Sequence, residues 1–456
     1  YLSRVLGPDG TGIQSYTNSV VQYFAIAAAL GTASYGQREI AMHRDDREAL
    51  NRLFWEIELL CAGMTAVCLV FWLGVIGCSK EYAPYYAALS MTLIAVAFDI
   101  SWFFGGLEEY GLIVLRNMAV KCVGIVLLFL FIRTKNDLLL YVALTAATGL
   151  LGNISMWGYL KPFVGKPDIR QLKPLSHLKE TLVYFIPTIA TSVYTILDKT
   201  MLGWFTDGDK SQNGYYEYAT GFVNMSKILI MSFNAVMSAR MSYLFGAGKL
   251  DEVRERLRGS LDFVLLLAIP ITLGLSGIAA GFVPWFLGDA YLPVIPLMYV
   301  CAPLVLVVGL SDCLGSQILT PAGLRAQSGR AIVGGAVVNF ILNLILIPKF
   351  QSYGAAAASV AAECFITLLY LRLGKGFVTL PLLWKYSWRR LIAGVCMFIS
   401  VAVLGRTLVK LWGYSPAVTF LQIGVGAVVY GMILLVLRDP FIWKQVERII
   451  KKQEHV

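Results

Sequence analysis

Apolar stretches of about 20 residues, the length at which a helix crosses the hydrocarbon of a bilayer, recur from one end of this chain to the other. In lipid such a stretch must satisfy its own backbone amides, which favours the α-helix. The runs place spans at roughly 13–35, 53–77, 84–107, 111–132, 138–160, 180–205, 215–238, 260–287, 291–319, 331–348, 353–374, 391–409 and 414–437. Only 14% of the 456 residues are charged, against roughly 25% in soluble proteins. The expected class is therefore an all-α polytopic membrane protein with thirteen spans.

The basic residues then orient the spans. Of 38 lysines and arginines, one set of alternate connections holds only Arg4, Lys80, Arg133, Lys135, Lys210, Lys349, Arg406 and Lys410. Three lysines lie within spans, and all the others fall on the opposite set, which the positive-inside rule makes cytoplasmic. The C-terminus is then expected in the cytoplasm and Tyr1 outside. If the full chain starts in the cytoplasm, one further helix precedes Tyr1, giving fourteen. The net charge of +10 is thus a topological signal, and nucleic acid is not an expected partner.

The longest polar linker, 161–179, carries Pro162, Pro167 and Pro174 and reads as a hinge between two bundles. It sets the expected domains: an N-terminal bundle at 1–160, the cytoplasmic linker 161–179, a C-terminal bundle at 180–374, and two additional helices with a basic tail at 375–456. A weak repeat supports the division. Val5-Leu6-Gly7 leads to Gly12 and Tyr16, as Met201-Leu202-Gly203 leads to Gly214 and Tyr218. A charged loop follows the next helix in each half, at 44–48 and at 249–254.

The eight cysteines lie mostly in apolar runs without a CxxC, and His43, His177 and His455 fall in polar segments. No metal site and no cofactor is expected. No nucleophile–base pair and no phosphate-binding loop is present, so an enzyme is not expected.

Charges inside spans carry the functional argument, because a cation at bilayer depth needs a wet cavity or a partner. Lys121, Lys199 and Lys227 are such cations, with Arg4 at the external end. Facing one cavity, the four would form a ladder of positive charge for an anionic cargo; Lys121 and Lys199 can also snorkel to the interfaces. In the helix 180–205, Tyr184, Thr188, Thr191, Thr195 and Asp198 share a face, and in the next helix so do Thr220, Asn224, Lys227, Asn234 and Ser238. These stripes either line a cavity or bind neighbouring helices through hydrogen bonds. Candidate cargo-binding residues are Arg4, Lys121, Lys199, Lys227 and Asn224. The candidate ion-coupling acids are Asp99, Asp198, Asp312 and Glu363, any of which could instead neutralise a lysine. Asn339 and Asn343 share a face ahead of Ile347-Pro348-Lys349 and Gly354, a pattern of helix packing with a proline-marked exit.

Tyr1-Leu-Ser-Arg-Val-Leu-Gly-Pro-Asp-Gly and Gly36-Gln-Arg-Glu-Ile-Ala, with Asp198-Lys-Thr-Met-Leu-Gly and Leu342-Asn-Leu-Ile-Leu-Ile-Pro-Lys, resemble bacterial polysaccharide transporters over nearly the whole chain. These are the Wzx-type O-antigen, capsule and exopolysaccharide flippases of the multidrug/oligosaccharidyl-lipid/polysaccharide (MOP) exporter superfamily. The resemblance implies two pseudo-symmetric six-helix bundles plus two C-terminal helices, with the first helix absent from this sequence. It implies a polyprenyl-pyrophosphate-linked oligosaccharide as cargo, moved across the bacterial cytoplasmic (inner) membrane by alternating access coupled to an ion gradient. It also implies a polysaccharide polymerase and a chain-length regulator as partners. Three other readings stand beside it: a multidrug or cation exporter of the same superfamily, a peptidoglycan-precursor (lipid II) flippase, and a membrane-embedded polymerase. Three buried lysines disfavour a cationic cargo. The short external connections, the longest near Thr206–Gly214, leave little room for a polymerase active site.

Overall fold

A computed structural model describes residues 1–166, 170–206 and 208–443, without the side chains of 186–188, 190, 191 and 193–195. The chain is helical, and there is no strand among the described residues. The helices are α1 (Leu2–Ala29), α2 (Thr32–Met42), α3 (Arg47–Cys78), α4 (Ala83–Val96), α5 (Ser101–Gly106), α6 (Tyr110–Phe131), α7 (Leu138–Met156) and α8 (Leu178–Phe205). They continue with α9 (Ser211–Gly246), α10 (Leu250–Phe286), α11 (Val294–Cys301), α12 (Pro303–Leu314), α13 (Arg325–Leu373), α14 (Leu380–Trp412) and α15 (Pro416–Val436).

Among the described residues, 10 helical segments are long and apolar enough to cross a bilayer. One of them, α13, holds two of the expected spans, because its 49 residues break where Gln351 leaves helical geometry (φ 50°, ψ −127°). Pro348, just upstream, cannot donate to the helical ladder. The chain then turns back so tightly that a Cβ on Gly354 would lie 2.4 Å from the Leu346 carbonyl oxygen, and only glycine fits. Helices α1 and α8 stand outside that set of ten and occupy two more expected spans.

Two expected spans in the first half of the chain are interrupted. The one at 13–35 stops at Leu30 and Gly31, both with positive φ. A Cβ on Gly31 would lie 2.8 Å from the Phe185 amide nitrogen, so the bend admits the backbone of α8. The span at 84–107 divides into α4 and α5 around residues 97–100.

By packing, the chain forms two compact units: Tyr1–Trp204 with Gly208–Asn213, and Phe205–Asp207 with Gly214–Val456. Helix α8, expected in the C-terminal bundle, packs with unit 1. In unit 1 an aromatic core gathers Phe54, Trp102, Phe103 and Phe104, and a second core gathers Val21, Trp72, Leu93 and Ile132. Helix α6 buries no residue completely and rests on α7, where Val120 fills the space above Gly152. Asp46 starts α3 by accepting hydrogen bonds from the amides of Glu48 and Ala49, satisfying two of the free N–H groups of a helix start.

The polar linker is held along α3. The Gly165 carbonyl accepts from Trp55 Nε1 (3.0 Å), and the Gly165 amide donates to Asn51 Oδ1 (2.9 Å). Farther on, the Lys173 amide donates to Glu56 Oε1 (2.9 Å). His177 lies between Glu56 Oε2 (Nε2, 2.8 Å) and the Tyr35 hydroxyl (Nδ1, 2.7 Å).

In unit 2, α10, α14 and α15 share a core of Ala393, Met397, Val401, Tyr430 and Leu434. Arg390 is wholly buried there. It donates to Asp262 Oδ1 (2.7 Å), to the Asp262 carbonyl (2.6 Å) and to both Asp439 oxygens (3.1 Å each).

Candidate functional site

Unit 1 has a polar cavity at its interrupted helix. A helix broken at bilayer depth frees carbonyls that protein must satisfy. Here Asn153 Nδ2 donates to the Ala95 carbonyl (2.7 Å) and Trp157 Nε1 to the Phe98 carbonyl (3.1 Å). Asp99 Oδ1 accepts from the Ser101 amide (3.0 Å) and so starts α5. Next to the break lies a cavity of about 470 Å³ whose walls include Gln22, Asp99, Arg116, Asn117, Lys121 and Asn153. Arg116 Nη1 donates to Asn153 Oδ1 (2.8 Å), so one amide ties the cation of α6 to the broken end of α4. Lys121, one turn beyond Asn117, is exposed and has no hydrogen bond or ion pair among the described residues. The cavity can therefore offer two cations and several amide groups to an anion bearing hydroxyls.

Unit 2 has its own irregular helix beside an aspartate, and it is finished differently. Helix α12 runs into a π-helical turn, Gly315–Leu319, a feature frequent at functional sites. Asn234 of α9 donates to Asp312 Oδ2 (3.0 Å) and to the Gly309 carbonyl (3.2 Å), and accepts from Gln317 Nε2 (3.0 Å). Ser238 donates to the Ser316 carbonyl (2.8 Å), and Thr367 to that of Val307 (3.3 Å). Asn234 and Gln317 are completely buried. This centre is packed with side chains.

The sequence-derived candidates are thus distributed over several places. Lys121 and Asp99 share the unit 1 cavity, whereas Arg4, Lys199 and Lys227 are not among its walls. Arg4 is exposed near the start of α1, and Lys199 is half-buried. The neighbouring Asp198 is buried, within electrostatic reach of Tyr23. Thr200 meets Ser19 Oγ (2.9 Å) and the Tyr23 hydroxyl (3.3 Å), joining α8 to α1. The side chains of Thr188, Thr191 and Thr195 lie outside the described residues.

In unit 2, Lys227 is half-buried and feels the field of Glu363, which is buried; no ion pair forms between them. Asn224 is exposed. The stripe expected on α9 divides. Asn234 and Ser238 bind α12 and its π-helical turn, and Thr220 donates to the Tyr216 carbonyl of its own helix (2.6 Å). Asn343 Nδ2 donates to Asn339 Oδ1 (3.1 Å), and both side chains are buried.

Several charged groups of consequence were not singled out by sequence. Arg116 and Arg390 were counted as connection residues, and Lys210 as part of an external turn. Arg116 instead lines the cavity and Arg390 is enclosed by two carboxylates. Lys210 is buried, donates to the Gly203 carbonyl and stands 4.7 Å from the centre of the Tyr16 ring. Glu56 and Glu58 are both buried on α3. Their position inside the apolar run at 53–77 was the available signal, the same one that marked Asp99.

A family model described as "Polysaccharide biosynthesis protein" matches residues 1–243. Among curated relatives, the "Putative O-antigen transporter" of Escherichia coli (strain K12) is 22% identical over 385 residues, covering 81% of this chain and 90% of its own. The "Probable flippase AglR" of Haloferax volcanii is 29% identical over 252 residues, covering 54% of this chain and 51% of its own. Among solved structures, "Lipid II flippase MurJ, inward closed conformation" superposes with a TM-score of 0.72 at 14% identity, over 96% of each chain. At that identity the likeness concerns the fold.

Proposed function

The chain belongs to the polysaccharide biosynthesis protein family, and we propose that it carries a polyprenyl-pyrophosphate-linked oligosaccharide across the bacterial cytoplasmic membrane. The observation that carries this reading is the cavity at the α4–α5 break, with Arg116 and Lys121 on one helix and Asn117, Asn153 and Gln22 around them. A pyrophosphate is a concentrated anion that arginine grips in a fork and lysine meets as a point charge. The amides match the hydroxyls of a sugar. The apolar tail can stay in lipid while the head group passes.

Lys227 of unit 2 is proposed as a further contact for an anion, since it makes no ion pair among the described residues. Alternating access would be driven by an ion gradient, with Asp99, Asp198, Asp312 and Glu363 as the acids to test. The polymerase and chain-length regulator are proposed partners, and the C-terminus is proposed to be cytoplasmic. The name of the O-antigen transporter agrees with a glycan cargo and that of AglR with a flippase, and two cations in the unit 1 cavity work against a cationic drug.

The decisive experiment is export of the lipid-linked glycan by variants that remain inserted. Lys121→Ala and Lys227→Ala should each reduce export while leaving membrane levels unchanged. Wild-type export by both would reject the anion path. If Asp198 carries the coupled proton, Asp198→Asn should export independently of the proton gradient, and an unaltered dependence would remove it from that role.

A further inference from the structure

Helix α3 brings two carboxylates into unit 1, and their surroundings differ. Glu56 is fully engaged by the Lys173 amide and His177. Glu58, two residues on, is 5% exposed, yet it accepts no hydrogen bond and makes no ion pair among the described residues. It shares a face of α3 with Cys61 and Thr65. Cys61 lines the cavity at the α4–α5 break, and its Sγ lies 3.9 Å from the Ala28 carbonyl and 3.8 Å from that of Val96. Glu58 thus sits one turn along from the ends of α1 and α4, beside the cavity wall.

The charged groups around it are few. Asp99, on the break itself, is the one that acts on Glu58. Cys61 is the titratable neighbour on its own helix. Arg116 and Lys121 reach the same cavity from α6, while α2 and α7 present Thr32, Thr145 and Asn153, which carry no charge. An ionised carboxylate in this position would have neither a hydrogen-bond donor nor a counter-ion in contact, which burial makes unfavourable. A protonated one needs neither. Two carboxylates in reach of each other repel when both are ionised, so a proton held by Glu58 removes that repulsion.

We propose that Glu58, coupled to Asp99 across the helix break, is a proton-binding site of unit 1. A water in the cavity delivers the proton, one O–H bond forms on the Glu58 carboxyl, and release to water breaks that same bond, with no other reactant. Glu58 holds the proton while the cavity is closed and gives it up when water enters. The site stands independently of the flippase reading, which bears only on what the proton would drive.

The test is infrared difference spectroscopy of the full chain in lipid nanodiscs, titrated with acid and base without sodium. The wild type should show a protonated-carboxyl band that persists where exposed carboxylates are ionised. Glu58→Gln should abolish it with the fold retained by circular dichroism. Asp99→Asn should keep the band and move its titration to lower pH, because the neighbouring negative charge that opposes ionisation of Glu58 is gone while Glu58 is still left without a counter-ion. A band that survives in Glu58→Gln overturns the assignment, as does a wild-type band erased by sodium at constant pH, which would make this a sodium site. Should Glu58→Gln fail to fold, an Asp99→Asn titration unchanged from wild type overturns the proposal alone. In vesicles carrying a pH-sensitive dye, proton uptake should fall about tenfold in Glu58→Gln. A wild type with the infrared band that moves no glycan leaves the proton site standing and counts against the flippase reading only.

Discussion

Each unit departs from regular α-helix beside an aspartate, by a break at Asp99 in the first and by a π-helical last turn after Asp312 in the second, and what surrounds the two places differs. At Asp312, Asn234 binds the carboxylate, the Gly309 carbonyl and Gln317, and Ser238 binds the Ser316 carbonyl, with Asn234 and Gln317 completely buried. At Asp99 the carbonyls are met by Asn153 and Trp157, and beside them a cavity with two cations is left open. The same device can therefore lock one bundle and furnish another. An irregular helix by itself does not mark a binding site; a broken helix whose satisfied ends border a polar cavity is the better indicator.

The sharpest way to break this comparison is Asn234→Leu. It leaves the Asp312 carboxylate, the Gly309 carbonyl and the Gln317 amide without their shared partner, and should cost about 3 kcal/mol or more of stability. Thermal unfolding in detergent measures it, and a loss under about 0.5 kcal/mol would mean the packed centre is not structural. The matching change in unit 1, Lys121→Ala, should leave unfolding within about 0.5 kcal/mol of wild type, as expected for an exposed side chain. Its cost should appear in export instead, as a drop of about tenfold, or about 1.4 kcal/mol in the barrier. If Lys121→Ala destabilised the protein as Asn234→Leu does, the contrast between an open and a packed centre would fail.

Asn153→Ala tests the link between the cavity's cation and the end of α4. It removes the donor to Ala95 and the acceptor for Arg116, for an expected loss of about 1–2 kcal/mol in unfolding. Export should fall with it, since Arg116 loses its tether. The smallest effect is expected for Thr367→Val, which deletes a hydroxyl shared between the Glu363 carbonyl of its own helix (2.8 Å) and the Val307 carbonyl (3.3 Å), and should cost about 0.5–1 kcal/mol. A larger loss there would show that α13 carries more of the packed centre than its bond lengths suggest.

The helices and their order were legible because apolar length and the placement of basic residues are one-dimensional signals. The break at Gln351 followed from Pro348 and Gly354 in the same way. The break at 97–100 was not legible, since Ala97, Phe98 and Ile100 are ordinary span residues and the cause is donors brought in by Asn153 and Trp157. Among the charges, Lys121 and Asp99 were recognised singly but not as neighbours, because α6 and the α4–α5 break meet only in the fold. Arg390 was misread for the complementary reason. Its two carboxylates, Asp262 and Asp439, come from segments far apart in sequence, and an arginine near the end of an apolar run ordinarily belongs to the interface. Asn234 was placed on a stripe that could line a cavity or join helices, and only the position of α12 decides between them.

The clamp on Arg390 has a practical consequence for anyone shortening or tagging this protein. Asp439 lies just beyond α15, where a truncation drawn by hydropathy would stop. A reporter fused after Leu437 would discard that carboxylate, leave a guanidinium with half its charge compensation inside α10, α14 and α15, and cost about 3–5 kcal/mol. Fusions placed beyond Trp443 keep the clamp, together with the amide of Phe441 that Asp439 also accepts (3.1 Å).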